Sequence, residues 1–225
     1  MSRVAVFDVI ETLLDLSALD PLFGELFGDP AARREWFEQA LQNALVSTVV
    51  AEYQNFEVLG MAALTMLAEK RGVPVTAADR LRLQKGLLEL PAHPDAVPAL
   101  ERLRDEGFRL ATLTNSLGLA SETQLRFAGL RDFFEQALSA DDVRRLKPAR
   151  EPYGYAAERL QVEPAELWLV AAHAWDVTGA ASAGCKTAFV GRPGKVLNPA
   201  APRLDVTGEN LRDVAEGILA VEALA

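Results

Sequence analysis

From about residue 92 onward, short apolar runs alternate with amphipathic stretches of helical length, an order that a layered α/β sheet accommodates and few other folds do. Strand-like runs lie at 110–114, 136–139, 167–171 and 187–190, with a weaker one at 204–206 and a separate one at 4–9. Helical stretches at 95–106 (ended by Gly107), 119–128, 152–160, 177–183 and 211–224 separate them. Strands joined through helices pair in parallel, so the expectation is an α/β fold built on a doubly wound parallel sheet.

Residues 17–90 break the alternation. Their period is almost wholly helical, at 31–51, 54–71 and 77–89, with Gly72-Val73-Pro74 as a breaker. A helical block therefore interrupts the α/β pattern just after its first strand, dividing the chain into a core of 1–16 and 91–225 and an insertion of 17–90.

The chain has 225 residues, 50% of them hydrophobic, enough to bury a sizeable core. Its net charge is −9, from 23 Lys+Arg against 32 Asp+Glu, and no basic cluster exceeds Arg144-Arg145-Leu146-Lys147, so neither nucleic acid nor an anionic membrane is an expected partner. A lone cysteine, Cys185, rules out an internal disulfide, and two histidines cannot make a His-rich metal site. There is no charged leader with an apolar segment and no run of about 18 apolar residues, and the expectation is a cytoplasmic protein.

The buried-strand pattern Val4-Ala5-Val6-Phe7 presents Asp8 at a strand's carboxyl end, where open α/β sheets place their ligands, and makes it a candidate nucleophile. A strand, an Asp and a Thr four residues on (Asp8, Thr12) resemble the haloacid dehalogenase superfamily. That resemblance implies a Rossmann-like core with residues 17–90 as a helical cap folded over the strand ends. It also implies that Thr114 and Asn115 hold the substrate's anionic group and that Lys147 pairs with the nucleophile. Read alone, Thr114-Asn115-Ser116 would serve equally as a turn or helix cap, and Lys147 before Pro148 as a solvated loop charge.

Superfamily phosphatases carry a second acid two residues after the first, and a further acid at the fourth strand end. Here those places hold Ile10 and Ala172, while the later acid survives as Asp176. A hard divalent cation needs several oxygen ligands, so the expectation is a reaction without metal or cofactor. Trp175-Asp176 and the Lys147-Pro148…Tyr153 spacing resemble the type II L-2-haloacid dehalogenases. The resemblance implies a short 2-haloacid as substrate, halide as leaving group, and an ester formed on Asp8 and hydrolysed by water. It implies Asp8, Thr12, Lys147 and Asp176 as catalytic residues, and His173, which departs from the pattern, completes the candidate catalytic set. Ile10, Phe37, Phe56, Thr114, Asn115, Tyr153 and Trp175 are then the substrate contacts. It further implies a homodimer, consistent with apolar stretches at 41–50 and 58–67 that exceed one amphipathic face.

The chain departs from that family's pattern at four places. Ile10-Glu11 stands for Tyr-Gly, Phe37 for a cap arginine, Ala171 for a serine, and His173 for an asparagine that helps position the hydrolytic water. His173 is thus either the base or a loop histidine satisfied by backbone. Glu11 either faces solvent or enters the pocket, where it would repel a carboxylate. With the arginine absent, Arg33 or Arg34 is a weaker cationic candidate. A phosphatase-like hydrolase, or a paralogue without dehalogenase activity, remains the alternative.

Overall fold

A computed structural model describes residues 3–224. Six parallel strands form one sheet in the order β3-β2-β1-β4-β5-β6. They are β1 (Val4–Phe7), β2 (Arg109–Thr114), β3 (Gln136–Ser139), β4 (Leu167–Ala171), β5 (Lys186–Val190) and β6 (Val206–Gly208). The chain runs outward from β1 through β2 to β3, then crosses back to β4 on β1's other side, so the switch point of the sheet lies between β1 and β4. Ligand crevices form at such points.

Side chains alternate across a strand, and β1 is buried on both faces. Ala5 and Phe7 join a cluster with Leu100 and Leu103 of α5 (Ala96–Asp105), Leu125 of α6 (Gly118–Phe127) and Ile218 of α9 (Leu211–Glu222). Val4 and Val6 face the other way, onto Tyr153 and Leu160 of α7 (Arg150–Leu160) and Ala180 of α8 (Ala174–Ser182). The doubly wound reading is correct, with strand and helix ends displaced by at most three residues. β1 stops at Phe7 rather than at residue 9 because, although Asp8 N still donates to Val170 O (3.0 Å), Val9 O turns back to accept from Leu13 and Leu14.

Residues 17–90 fold as α1 (Asp20–Phe27), α2 (Ala32–Val49), α3 (Phe56–Arg71) and α4 (Ala77–Leu88). The sequence pattern had not separated α1, a short helix with Pro21 in its first turn. Asn55 caps α3 through Val58 N (2.9 Å), Gly72 ends it in the left-handed conformation (φ 65°), and Thr76 with Asp79 forms a capping box for α4. Phe23, Trp36, Leu64 and Leu83 belong to the same apolar cluster as Phe7, so the block packs continuously onto the sheet layer. Its two connections run side by side: Asp15 N donates to Pro91 O and His93 N to Leu13 O, each at 2.8 Å. Among the described residues no helix is long and apolar enough to cross a membrane.

Candidate active site

Asp8 leaves the end of β1 buried, and both of its oxygens are engaged. Oδ1 accepts from Lys147 Nζ (2.9 Å); Oδ2 accepts from the Thr12 hydroxyl (2.7 Å) and lies 3.1 Å from His173 Nδ1. Thr12 Oγ1 in turn accepts from Ala172 N (2.9 Å), which ties the loop after β1 to the loop after β4.

Lys147 uses all three of its donors: Nζ reaches Asp8, Leu113 O (2.8 Å) and Asp176 Oδ2 (2.6 Å). Its backbone is clamped by Asn115, whose Oδ1 accepts from Lys147 N (2.8 Å). The Tyr153 hydroxyl donates to the other Asp176 oxygen (2.6 Å). Gly179 permits this arrangement, since a Cβ there would come within 2.5 Å of Pro148 Cβ and 2.7 Å of the Tyr153 hydroxyl. Lys147 is therefore a built component of the site rather than a solvated loop charge. Thr114-Asn115-Ser116 serves both readings: Thr114 Oγ1 accepts from Ser116 N (3.2 Å) in a turn, while Asn115 positions the lysine.

His173 lies between two carboxylates, with Nδ1 toward Asp8 and Nε2 2.9 Å from Glu11 Oε2. Ionised carboxylates only accept, so both ring nitrogens carry hydrogen and the ring is an imidazolium. It stands in an aromatic slot, stacked on Trp175 at 5.1 Å between ring centroids and 6.1 Å from Phe37. Glu11 faces this histidine rather than solvent and is also paired with Arg33 (3.5 Å) and Lys195. To reach there its backbone adopts φ 65°, a left-handed conformation that costs a non-glycine residue roughly 1–2 kcal/mol.

Burial alone would raise the Asp8 carboxyl, but the Lys147 ammonium and His173 outweigh it and hold Asp8 well below the usual carboxylate range. Burial would likewise lower His173, yet its bonds to Asp8 and Glu11 push it above the ordinary imidazole value. Lys147 is raised because Asp176 and Asp8 together overcome its desolvation. Asp176 goes up: burial leads, the Asp8 charge adds to it, and Lys147 only partly opposes it. At neutral pH Asp8 is thus an ionised carboxylate held among positive groups.

A cavity of about 20 Å³ opens on these groups, lined by Asp8, Ile10, Phe37, Phe56, Thr114, Asn115, Lys147, His173 and Trp175. Thr12, Asp176 and Tyr153 lie outside that wall; Tyr153 in particular holds Asp176 and does not line the space, unlike the substrate contact expected of it. Leu41 and Ser116 complete the wall; the sequence placed them in an apolar stretch and a turn cluster but named neither as a substrate contact. Arg33 is committed to Asp20 (2.5 Å) and Glu11, and Arg34 does not reach the cavity. Trp175 Nε1 is buried without a hydrogen-bond partner. Lys195 is the member sequence reasoning missed, whereas Glu11 was left between solvent and pocket and Arg33 was named only as a weaker cation for the substrate. The one available signal was that Glu11 and His173 depart from the family pattern together.

The family model for haloacid dehalogenase-like hydrolases matches residues 3–184. The chain is 31% identical over 195 residues to (S)-2-haloacid dehalogenase 1 of Pseudomonas sp. (strain CBS-3), covering 86% of each protein. Among solved structures, a dehalogenase with an intermediate complex shares 30% identity at a TM-score of 0.86, with 93% of this chain and 94% of that one covered. The L-2-haloacid dehalogenase RSc1362 shares 25% identity at a TM-score of 0.92, covering 97% and 99%.

Proposed function

The chain belongs to the haloacid dehalogenase-like hydrolases, and we propose that within that family it hydrolyses 2-haloacids without a metal ion, through an ester on Asp8 and with His173 as the base. The observation that carries the reading is the state of Asp8: ionised, buried, and faced by Lys147 and His173 beside an Ile10 that can neither give nor take a proton. Halide needs no proton to leave, so the missing acid costs this reaction nothing.

In the first step an Asp8 oxygen attacks Cα of the haloacid in line, the carbon–halogen bond breaks, and halide departs with the bonding pair. Alkylation removes the charge of Asp8 and with it one of the two carboxylates that stabilise the imidazolium, so the His173 pKa falls and its Nδ1 proton is released. Neutral His173, oriented by Glu11 through Nε2, then takes a proton from water as hydroxide adds to the ester carbonyl. Collapse expels the 2-hydroxyacid alkoxide, which takes the proton of the new carboxyl, and Asp8 returns as carboxylate facing imidazolium. Each turnover consumes one water and yields one halide and one proton.

Lys147 holds Asp8 and Asp176 apart as ions, so the place between these carboxylates, where a divalent cation would need to sit, is filled by an ammonium. Residues 17–90 act in this reading as the cap that excludes water, and residues 1–16 and 91–225 as the core. Leu45, Val46 and Val49 on α2, Val50 just after it, and Val58 and Met66 on α3 are exposed, and a two-fold dimer burying them is expected. A cytoplasmic location is retained on the same footing. The deciding experiment is halide release from (S)-2-chloropropionate by the purified protein; hydrolysis of p-nitrophenyl phosphate that depends on Mg²⁺, with no halide release, would overturn the proposal.

A further inference from the structure

The catalytic cavity, at about 20 Å³, has room for about one water molecule. Beside it lies a second cavity of about 260 Å³, enclosed between α2, α3 and α4 on one side and α6 on the other. The two share Ile10, Phe37, Phe56 and Ser116, so whatever is attached to the reacting carbon has this space next to it.

The chemistry of the second cavity is one-sided. Trp36, Met61, Leu87, Leu88 and Ala120 make its surface largely apolar. Its polar wall residues are Glu57, Gln84, Ser116 and Gln124, beside the indole of Trp36. Trp36 Nε1 donates to Gly60 O (2.9 Å), and Gln124 Nε2 donates to Leu87 O (2.9 Å), which leaves Gln124 Oε1 buried without a partner. No Lys, Arg or His lines it, whereas the Glu57 carboxylate does. The cations Lys147 and His173 line the catalytic cavity instead, with Lys195 behind it on Glu11.

We propose that this second cavity receives the substituent on Cα of the haloacid, so that the preferred substrates carry a neutral apolar chain of several carbons rather than the hydrogen or methyl of the shortest acids. The inference rests on the 2-haloacid reading above and extends it to substrate class. The separation of charge orients the molecule: the carboxylate stays with the cations, the chain enters the apolar space, and a second carboxylate at the chain's far end is repelled by the Glu57 carboxylate. Gly60 keeps the space open. It interrupts α3, where glycine costs roughly 1 kcal/mol against alanine, yet a Cβ there would meet Trp36 only in ordinary contact at 3.7 Å, so sterics at the first carbon do not demand it.

The test measures binding apart from turnover. Calorimetry on the Asp8→Asn protein with (S)-2-chloropropionate, 2-chlorobutanoate and 2-chlorohexanoate should show Kd falling by up to about fourfold per added methylene, with 2-chloroadipate binding no better than the propionate. Gly60→Leu, or Ala120→Leu should the first fail to fold, should flatten that series, and in the active enzyme should lower the ratio of kcat/KM for the hexanoate to that for the propionate. A flat series in the parent protein, an equally tight diacid, or a series untouched by a folded leucine variant overturns the inference. Should the series hold while no halide is released from any acid, the subsite stands and the dehalogenase reading is what fails.

Discussion

Replacing His173 by alanine separates the two chemical steps. In the variant, Asp8 keeps Lys147 at 2.9 Å and Thr12 at 2.7 Å, so the nucleophile remains ionised and placed. Glu11 keeps Arg33 and Lys195, so no charge is left buried alone. Ester formation therefore persists, and what disappears is the group that takes a proton from water. Positioned acid–base groups contribute about 10²–10⁴-fold, which at about 1.36 kcal/mol per decade is a barrier increase of roughly 3–5 kcal/mol on hydrolysis alone. Rapid mixing with (S)-2-chloropropionate should then give a burst of one halide per active site followed by a slow phase, and intact-mass spectrometry should find the protein carrying the acid as an ester. A variant that turns over at the parental rate, or stops without either burst or adduct, refutes the assignment of His173.

Asp8→Asn should abolish turnover with the melting temperature preserved, and in parental single turnover in heavy-oxygen water the label should appear first in Asp8; label appearing directly in the product refutes the ester. Chelation by EDTA should leave activity unchanged, measured by halide release with and without added Mg²⁺. Because His173 is raised above its ordinary value of about 6.5, its contribution to stability is fully present below that pH and is lost as pH rises through the higher folded-state value. Melting curves of the parent should show that alkaline decline, and those of His173→Ala should lack it. Phe37→Arg should lower the melting temperature rather than improve KM, since the new guanidinium would enter a buried position near His173 and Lys195, both cationic. A stable variant with a lower KM would show that the position still accepts the family's charge.

The sheet was legible because burial leaves a direct mark on composition: β4 matches its apolar run residue for residue, as a strand covered on both faces must read, and the half-buried edge strand β3 has the expected limits as well. Asp8, Lys147 and Asp176 were legible because their order along the chain follows the order of strand ends. Contacts that close across the fold left no such trace. Lys195 lies in the loop after β5 and meets Glu11 from 184 positions away, and no local pattern marks either residue for the other. Tyr153 illustrates a different limit, since its position in the chain was read correctly while the direction of its hydroxyl, toward Asp176 and away from the cavity, is set by the packing of α7 against α8 at Gly179.

Three departures that looked separate in the sequence form one electrostatic rearrangement. Asp8, Glu11, Asp20 and Asp176 are faced by Lys147, His173, Arg33 and Lys195, four carboxylates against four cations once His173 is charged. Without Glu11 the imidazolium would lose half of its anionic support; without His173 the Glu11 carboxylate would have no reason to hold a left-handed backbone at its cost in strain. Adding an arginine at position 37 would unbalance the set, and an aromatic ring there instead supplies a π-face beside the imidazolium and Lys195. The positive charge that the resemblance places on the cap is thus carried in this chain by the core, on a residue whose charge depends on the state of Asp8. A guanidinium in the cap would stay charged through both steps. Under the proposed mechanism His173 is positive while Asp8 must be an anion and neutral once Asp8 is an ester, so the exchange of arginine for phenylalanine and of asparagine for histidine would give the site a group that meets the opposite electrostatic needs of alkylation and hydrolysis in turn.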